Sequence, residues 1–135
     1  LGQADVVKIS EEEVRFLFGL GAKDGAEYIC ESFPVKLVFV TCGADGCYFR
    51  NARAAGWEAA LPGLQVVDTT GAGDIFGGSA VWKLLQCAAA PEALDEAALR
   101  DIVSFANAAA GLSTTRPGGI SSIPEYEDVI NAMHR

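Results

Sequence analysis

The stretch Val66-Val67-Asp68-Thr69-Thr70-Gly71-Ala72-Gly73-Asp74-Ile75-Phe76-Gly77-Gly78-Ser79 takes an apolar strand into a bare turn and then into a helical pattern. No other part of the chain limits its possibilities so sharply. Gly71, Ala72 and Gly73 have almost no side chain, so a ligand can approach their backbone closely, and amides at a helix start are unpaired donors on the positive end of the helix dipole. The turn is therefore suited to an anion. Asp74 follows at once, and is either a helix cap or a base aimed at a reacting hydroxyl.

Two widespread phosphate motifs fail on the same letters. Gly71-Ala72-Gly73 begins a GxGxxG pattern, but Phe76 stands where its last glycine belongs. Gly73 and Gly78 have the GxxxxG spacing, yet Ser79 occupies the position at which a P-loop needs lysine.

At 135 residues the chain fits one domain, which at such a length buries roughly two thirds of its unfolded surface. Ten basic against eighteen acidic residues give a net charge of -8, which opposes nucleic acid and anionic membranes as partners. A bound nucleotide would have to be held by local backbone donors and metal ions. The four cysteines, Cys30, Cys42, Cys47 and Cys87, form no CxxC pair, and the single histidine is His134, so a zinc site is not expected. Free buried thiols, and the lack of any apolar run of membrane-spanning length or any charged-then-apolar leader, fit a soluble protein of the reducing cytoplasm. A strand among the first residues, with no initiator Met, suggests a sequence that starts inside a larger fold.

In order along the chain, Ala4 to Val7 reads as a strand, followed by a helix that Ser10 caps with Glu13 at capping-box spacing and that carries Val14, Leu17 and Phe18 on one face. A second helix over about 24–32 ends before Pro34, and Lys36 to Thr41 is a continuous apolar run of strand length, the expected central strand. Gly43 to Gly46 is a turn, residues 47–50 and 54–61 read as antiparallel strands, and Leu64 to Val67 as a short strand feeding the glycine turn. The helix from Gly73 to Gln86 contains Gly77 and Gly78, each costing ~1 kcal/mol relative to alanine, so something needs the space. Asp95 caps a long helix with Leu99, Ile102, Val103, Ala106 and Ala110 at helical spacing, residues 116–119 form a loop, and 124–133 a terminal helix. Phe105 and Trp82 read as core. Alternating helices and strands indicate an α/β fold with a mostly parallel sheet covered on both faces.

The seven residues Asp68 to Asp74 resemble the DTxGAGD signature of the ribokinase-like (PfkB) carbohydrate kinases. Further stretches follow in that family's order. Ser10-Glu11-Glu12-Glu13 resembles its NxxE element with Ser in place of Asn, and Thr41-Cys42-Gly43-Ala44-Asp45-Gly46 its TxGxxG nucleotide loop. Phe105-Ala106-Asn107-Ala108 resembles the helix along the adenine, and Thr115 to Gly119 with Ser122-Ile123-Pro124 the cation loop and terminus.

The resemblance implies a ribokinase-like fold of which residues 1–135 are the C-terminal ATP-binding portion, without the sugar-binding half and lid. It implies ATP-dependent phosphorylation of a small sugar, of fructokinase or ribokinase type, by a longer parent chain, the fragment being inactive alone. Asp74 becomes the general base, and Gly71, Ala72 and Gly73 the anion hole for the transferred phosphoryl group. Thr41, Gly43, Ala44, Gly46, Gly73 and Asn107 line the nucleotide. Glu13 acts through water on Mg2+, and Ser10 in place of Asn weakens that assignment. In members that use K+, the matching positions are Asp68, Thr70, Ser113, Arg116, Gly118 and Ser122. The family's lid implies a homodimer. The rival reading is a non-catalytic nucleotide-binding or regulatory module derived from such a kinase. Taken singly, Asp74 is a cap, Asp68 a turn residue, Glu13 a capping partner and Cys42 a small apolar filler.

Overall fold

A computed structural model describes residues 5–115 and 124–134. Strand β1 (Val6–Ser10) leads into helices α1 (Glu11–Phe18) and α2 (Ala22–Ser32), then strand β2 (Leu37–Thr41). A short 3-10 turn (Gly43–Asp45) joins β2 to β3 (Cys47–Asn51), and β4 (Ala55–Glu58) follows. Helices α3 (Ala72–Leu85), α4 (Glu96–Ser113) and α5 (Tyr126–Met133) complete the described chain.

The sheet runs β1-β2-β3-β4. Its side chains alternate between two cores, as the pleat requires. Leu37, Phe39, Cys47 and Phe49 face α3 and α4, where they meet Phe76, Ala80, Leu99 and Val103. Val7, Ile9, Val38, Val40 and Tyr48 face α1 and α2, where they meet Val14, Ala26 and Ile29. With both faces covered, β2 is buried at Leu37, Val38, Phe39 and Val40, which explains its unbroken apolar run.

Helices on both faces of a sheet match the expected α/β class. Parallel pairing is confined among the described strands to β1 with β2, whereas β3 and β4 run antiparallel. Connection length decides this: α1 and α2 provide the long crossover that parallel neighbours need, while the turns after β2 and β3 are too short for one.

Three local expectations fail for identifiable reasons. The segment Leu64 to Val67 is no strand, and Val66 and Val67 are 59% and 64% exposed. Strand formation needs a ladder partner, and this segment instead gives the amides of Val67 and Asp68 to the carbonyl of Thr114 at 2.6 and 3.0 Å. Trp82 is 45% exposed rather than core, stacked at the surface on Phe105 and Tyr126. Leu17 is exposed too, since Val14 and Phe18, four residues apart, define the buried stripe of α1 and leave it to one side. Of the first expected strand, Ala4 lies outside the described residues.

Candidate functional site

A cleft of about 420 Å³ opens at the end of the sheet where β1 and β2 finish. It collects Thr41, Gly43, Ala44, Gly46, Gly73 and Asn107, six positions spread over three sequence motifs. Ligand sites in α/β sheets commonly lie at the carboxyl ends of parallel strands, and β1 and β2 end together at Ser10 and Thr41. The rest of the lining is mostly apolar: Ala60, Leu61, Pro62, Leu64, Phe76 and Ala110 among others. Such a slot suits a flat ring with few polar groups.

Gly46 shows why the loop must be glycine. Its φ of +124° is a backbone region that side chains rarely adopt, and a Cβ there would run into the carbonyl of Glu58 at the end of β4. β3 and β4 can therefore close over the loop only with bare backbone at that point. Behind them, Arg100 holds the Glu58 carboxylate at 3.0 Å and the Trp57 carbonyl at 2.8 Å, while the Ser104 hydroxyl donates to the other Glu58 oxygen at 3.1 Å. Hydrogen bonds to Glu96 and Glu58 push the Arg100 pKa further up, so its charge is permanent.

On the other side of the glycine turn lies a second hollow of about 250 Å³, lined by Lys8, Phe39, Gly73, Asp74 and Gly77 among others. Asp74 is exposed there, in the first turn of α3, and it is Gly73 that lines both hollows. Gly71 caps the helix with φ +79°, and its carbonyl accepts from Ile75 at 3.0 Å. Of the amides that a helix start leaves unpaired, the structure commits that of Ala72 to the Thr69 carbonyl at 3.2 Å.

The turn is moored to the end of α4. Besides the Thr114 contacts, the Asp68 carboxylate accepts from the Thr70 amide at 2.9 Å, and Ser113 is buried in the same helix end, donating to Ala110 at 2.6 Å. The Asp68 amide thus reaches Thr114, the residue after Ser113, while Arg116, Gly118 and Ser122 lie outside the described residues. Glu13 is not part of the cleft. Its carboxylate accepts from the Ser10 amide at 3.2 Å while the Ser10 hydroxyl accepts from the Glu13 amide at 3.1 Å, and the Ser10 hydrogen bonds hold its pKa below 4.5. Cys42, half-buried in the Thr41 to Gly46 loop, has its thiol pushed up to about 12, first by burial and then by its hydrogen bond with Glu11. It is no nucleophile at neutral pH.

Residues 1–126 match the family model described as pfkB family carbohydrate kinase. The chain belongs to that family. It is 36% identical over 137 residues to fructokinase-1 of Zea mays, covering 98% of this chain and 41% of that protein. Among solved structures it is similar to the fructokinase of Vibrio cholerae O395 in fructose-, ADP- and calcium-bound form, with TM-score 0.80 and 33% identity over 98% of this chain and 42% of that one. It is also similar to aminoimidazole riboside kinase of Salmonella enterica, complexed with aminoimidazole riboside and an ATP analogue, with TM-score 0.81 and 28% identity over 99% and 43%. The chain thus spans about two fifths of the length of the pfkB relatives it matches.

Sequence reasoning missed two parts of this candidate site in the pfkB-family chain. Lys8 projects from β1 over the first turns of α3, and its ammonium donates to the Gly73 carbonyl at 3.2 Å. A Cβ on Gly73 or Gly77 would meet the Lys8 side chain at 3.4 or 3.5 Å, so these glycines bound the channel in which that side chain lies. A lone polar residue within a strand otherwise flanked by valine and isoleucine was the available clue. The second part is the wall Ala60 to Leu64, where Pro62-Gly63 marked a turn without indicating what it turned around.

Proposed function

We propose that the protein supplies the nucleotide half of an ATP-dependent kinase of a small sugar, of fructokinase type. One observation carries the reading: Gly73 is the shared wall between an apolar cleft fit for a nucleotide and a hollow that holds the exposed Asp74 carboxylate. A phosphoryl group delivered from the cleft would arrive at the glycine turn, beside Asp74 and the Lys8 ammonium. The fructokinase relatives and the nucleotide-bound neighbours support the same assignment.

In this mechanism Asp74 takes the proton of the sugar hydroxyl as its oxygen bonds to the terminal phosphorus and the bond to the bridging oxygen of ADP breaks. The amides of Gly71 and Gly73, with Lys8, meet the charge on the transferred group; fixed donors of this kind are the larger part of catalysis in phosphoryl transfer. Ala72 contributes little more than its small size, because its amide is already engaged. Mg2+ would supply charge neutralisation at the phosphates, and Glu13 would hold it through water with the acceptor capacity that its contact with the Ser10 amide leaves over. Asp68, Thr70 and Ser113 would help to hold K+, which would steady the glycine turn without touching substrate. Because the chain spans about two fifths of its relatives' length, the sugar-binding half and a lid-mediated dimer would belong to the rest of the protein, and the chain alone would not phosphorylate sugar. Four free thiols fit a cytoplasmic setting.

A purely nucleotide-binding module would have no use for a carboxylate placed against the phosphate turn. Asp74→Asn in the full-length protein separates the two readings. Sugar phosphorylation should fall by three orders of magnitude or more, ~4 kcal/mol of barrier, while ATP affinity changes little. Phosphorylation that stays fast in the variant would remove Asp74 from the chemistry.

A further inference from the structure

Strand β4 is the least anchored part of the sheet beside the cleft. It is four residues long, pairs only with β3 among the described strands, and has no buried residue. Short strands with a single ladder open readily. Yet two parts of the cleft rest on its end. The Gly46 backbone lies directly against the Glu58 carbonyl, and the Ala60 to Leu64 wall begins two residues on.

Two side chains of α4 hold this end in place. Asn107, on the cleft wall, donates through Nδ2 to the Glu58 and Ala59 carbonyls at 3.1 and 3.3 Å. Arg100 does not line the cleft. Its Nη1 donates to the Trp57 carbonyl at 2.8 Å and to the Glu58 carboxylate at 3.0 Å. Its Nε and Nη2 donate to Glu96, one turn earlier in α4, at 3.1 and 2.8 Å, which sets the plane of the guanidinium. A Cβ on Gly56 would come within 2.8 Å of that guanidinium, so bare backbone in β4 admits it. With the Arg100 side chain 40% exposed, its ion pairs count for little as charges alone, and the constraint lies in the geometry. One fork bridges α4 to the last two residues of β4, which a single ammonium cannot do in the same way.

We infer that Arg100 is a positioning residue for the cleft: without touching a ligand, it holds the end of β4 so that the Gly46 turn and the Ala60 to Leu64 wall keep the spacing a nucleotide needs. The inference rests on the nucleotide reading of the cleft and adds to it a residue that belongs to none of the motifs. Freed from Arg100, the end of β4 shifts against the loop, and the cost falls on binding.

Calorimetric titration of the 135-residue chain with magnesium ATP tests this, because it reads affinity and the fraction of competent protein separately. Arg100→Met should weaken ATP roughly five- to tenfold at unchanged stoichiometry, and Arg100→Lys by at least roughly threefold, since the fork and not the charge is what it loses. Arg100→Met combined with Glu58→Ala should bind no more weakly than Arg100→Met alone, because both act through the same strand end. Arg100→Lys stands by itself should Arg100→Met not fold. Unchanged affinity in the Arg100 variants, a fall in stoichiometry alone, full binding by Arg100→Lys, or additive losses in the double variant would each overturn the inference. If the unaltered chain binds no ATP, the nucleotide reading fails first and takes the role of Arg100 with it.

Discussion

The Lys8 ammonium donates to the Gly73 carbonyl at 3.2 Å, joining the middle of β1 to the first turn of α3. The protein carries a net charge of -8, so the nucleotide proposed for the cleft would have to find its positive charge locally; Lys8 lines the Asp74 hollow, and its partner Gly73 lines both the hollow and the cleft. An ammonium has three hydrogens, of which this contact uses one.

Lys8→Met retains most of the side chain's length and apolar stem while removing the charge. ATP affinity should drop at least roughly tenfold, as for loss of a charge-assisted hydrogen bond, with adenosine affinity unchanged. Comparison of the two ligands by titration checks it, since a merely structural role for Lys8 would weaken both alike.

Gly46→Ala should be costly for two reasons, the left-handed backbone and the Cβ that would strike the Glu58 carbonyl. We expect a loss of about 2–4 kcal/mol in chemical denaturation. Gly78→Ala, whose Cβ meets nothing within 4 Å, should gain up to about 1 kcal/mol because it sits inside α3. A similar response from the two variants would refute this account of the loop.

These contrasts show what was legible in the sequence and what was not. The Ser10 cap, the Asp95 cap, the buried run of β2 and the stripe of Leu99, Ile102 and Val103 were readable because each depends on neighbours a few residues away. Leu64 to Val67 misled because its apolar letters say nothing about whether a strand edge lies beside them. The Thr41 to Gly46 loop and Asn107 were singled out only through motif resemblance, and the structure brings both onto one cleft. Lys8 left only its charged letter in an apolar strand as a clue, because its contact with Gly73 spans 65 positions and belongs to no motif. The orientation of the Asn107 amide likewise needs the two β4 carbonyls to be seen in place.

The capping box gives a pH dependence with a definite sign. Hydrogen bonds from Ser10 lower the Glu13 pKa in the folded state below its ordinary 4.5, so the ionised form is favoured by folding. That contribution is complete above the unfolded value and disappears as the pH falls through 4.5 and below. Ser10→Ala should cost about 1 kcal/mol at neutral pH, and its deficit should shrink in acid. Urea melts at pH 7 and pH 3 measure it; a deficit that grows in acid would contradict the linkage.

The most direct test of the central claim, that a nucleotide lies in this cleft with its last phosphate at the glycine turn, is an amide-resolved NMR titration of the chain with magnesium ATP. The largest shifts should fall on Gly43, Gly46, Gly71 and Gly73, with the Asn107 side-chain amide moving and the α1–α2 face unchanged. Shifts confined to other surfaces, or an ATP-bound spectrum in which Gly71 and Gly73 do not move, would contradict it.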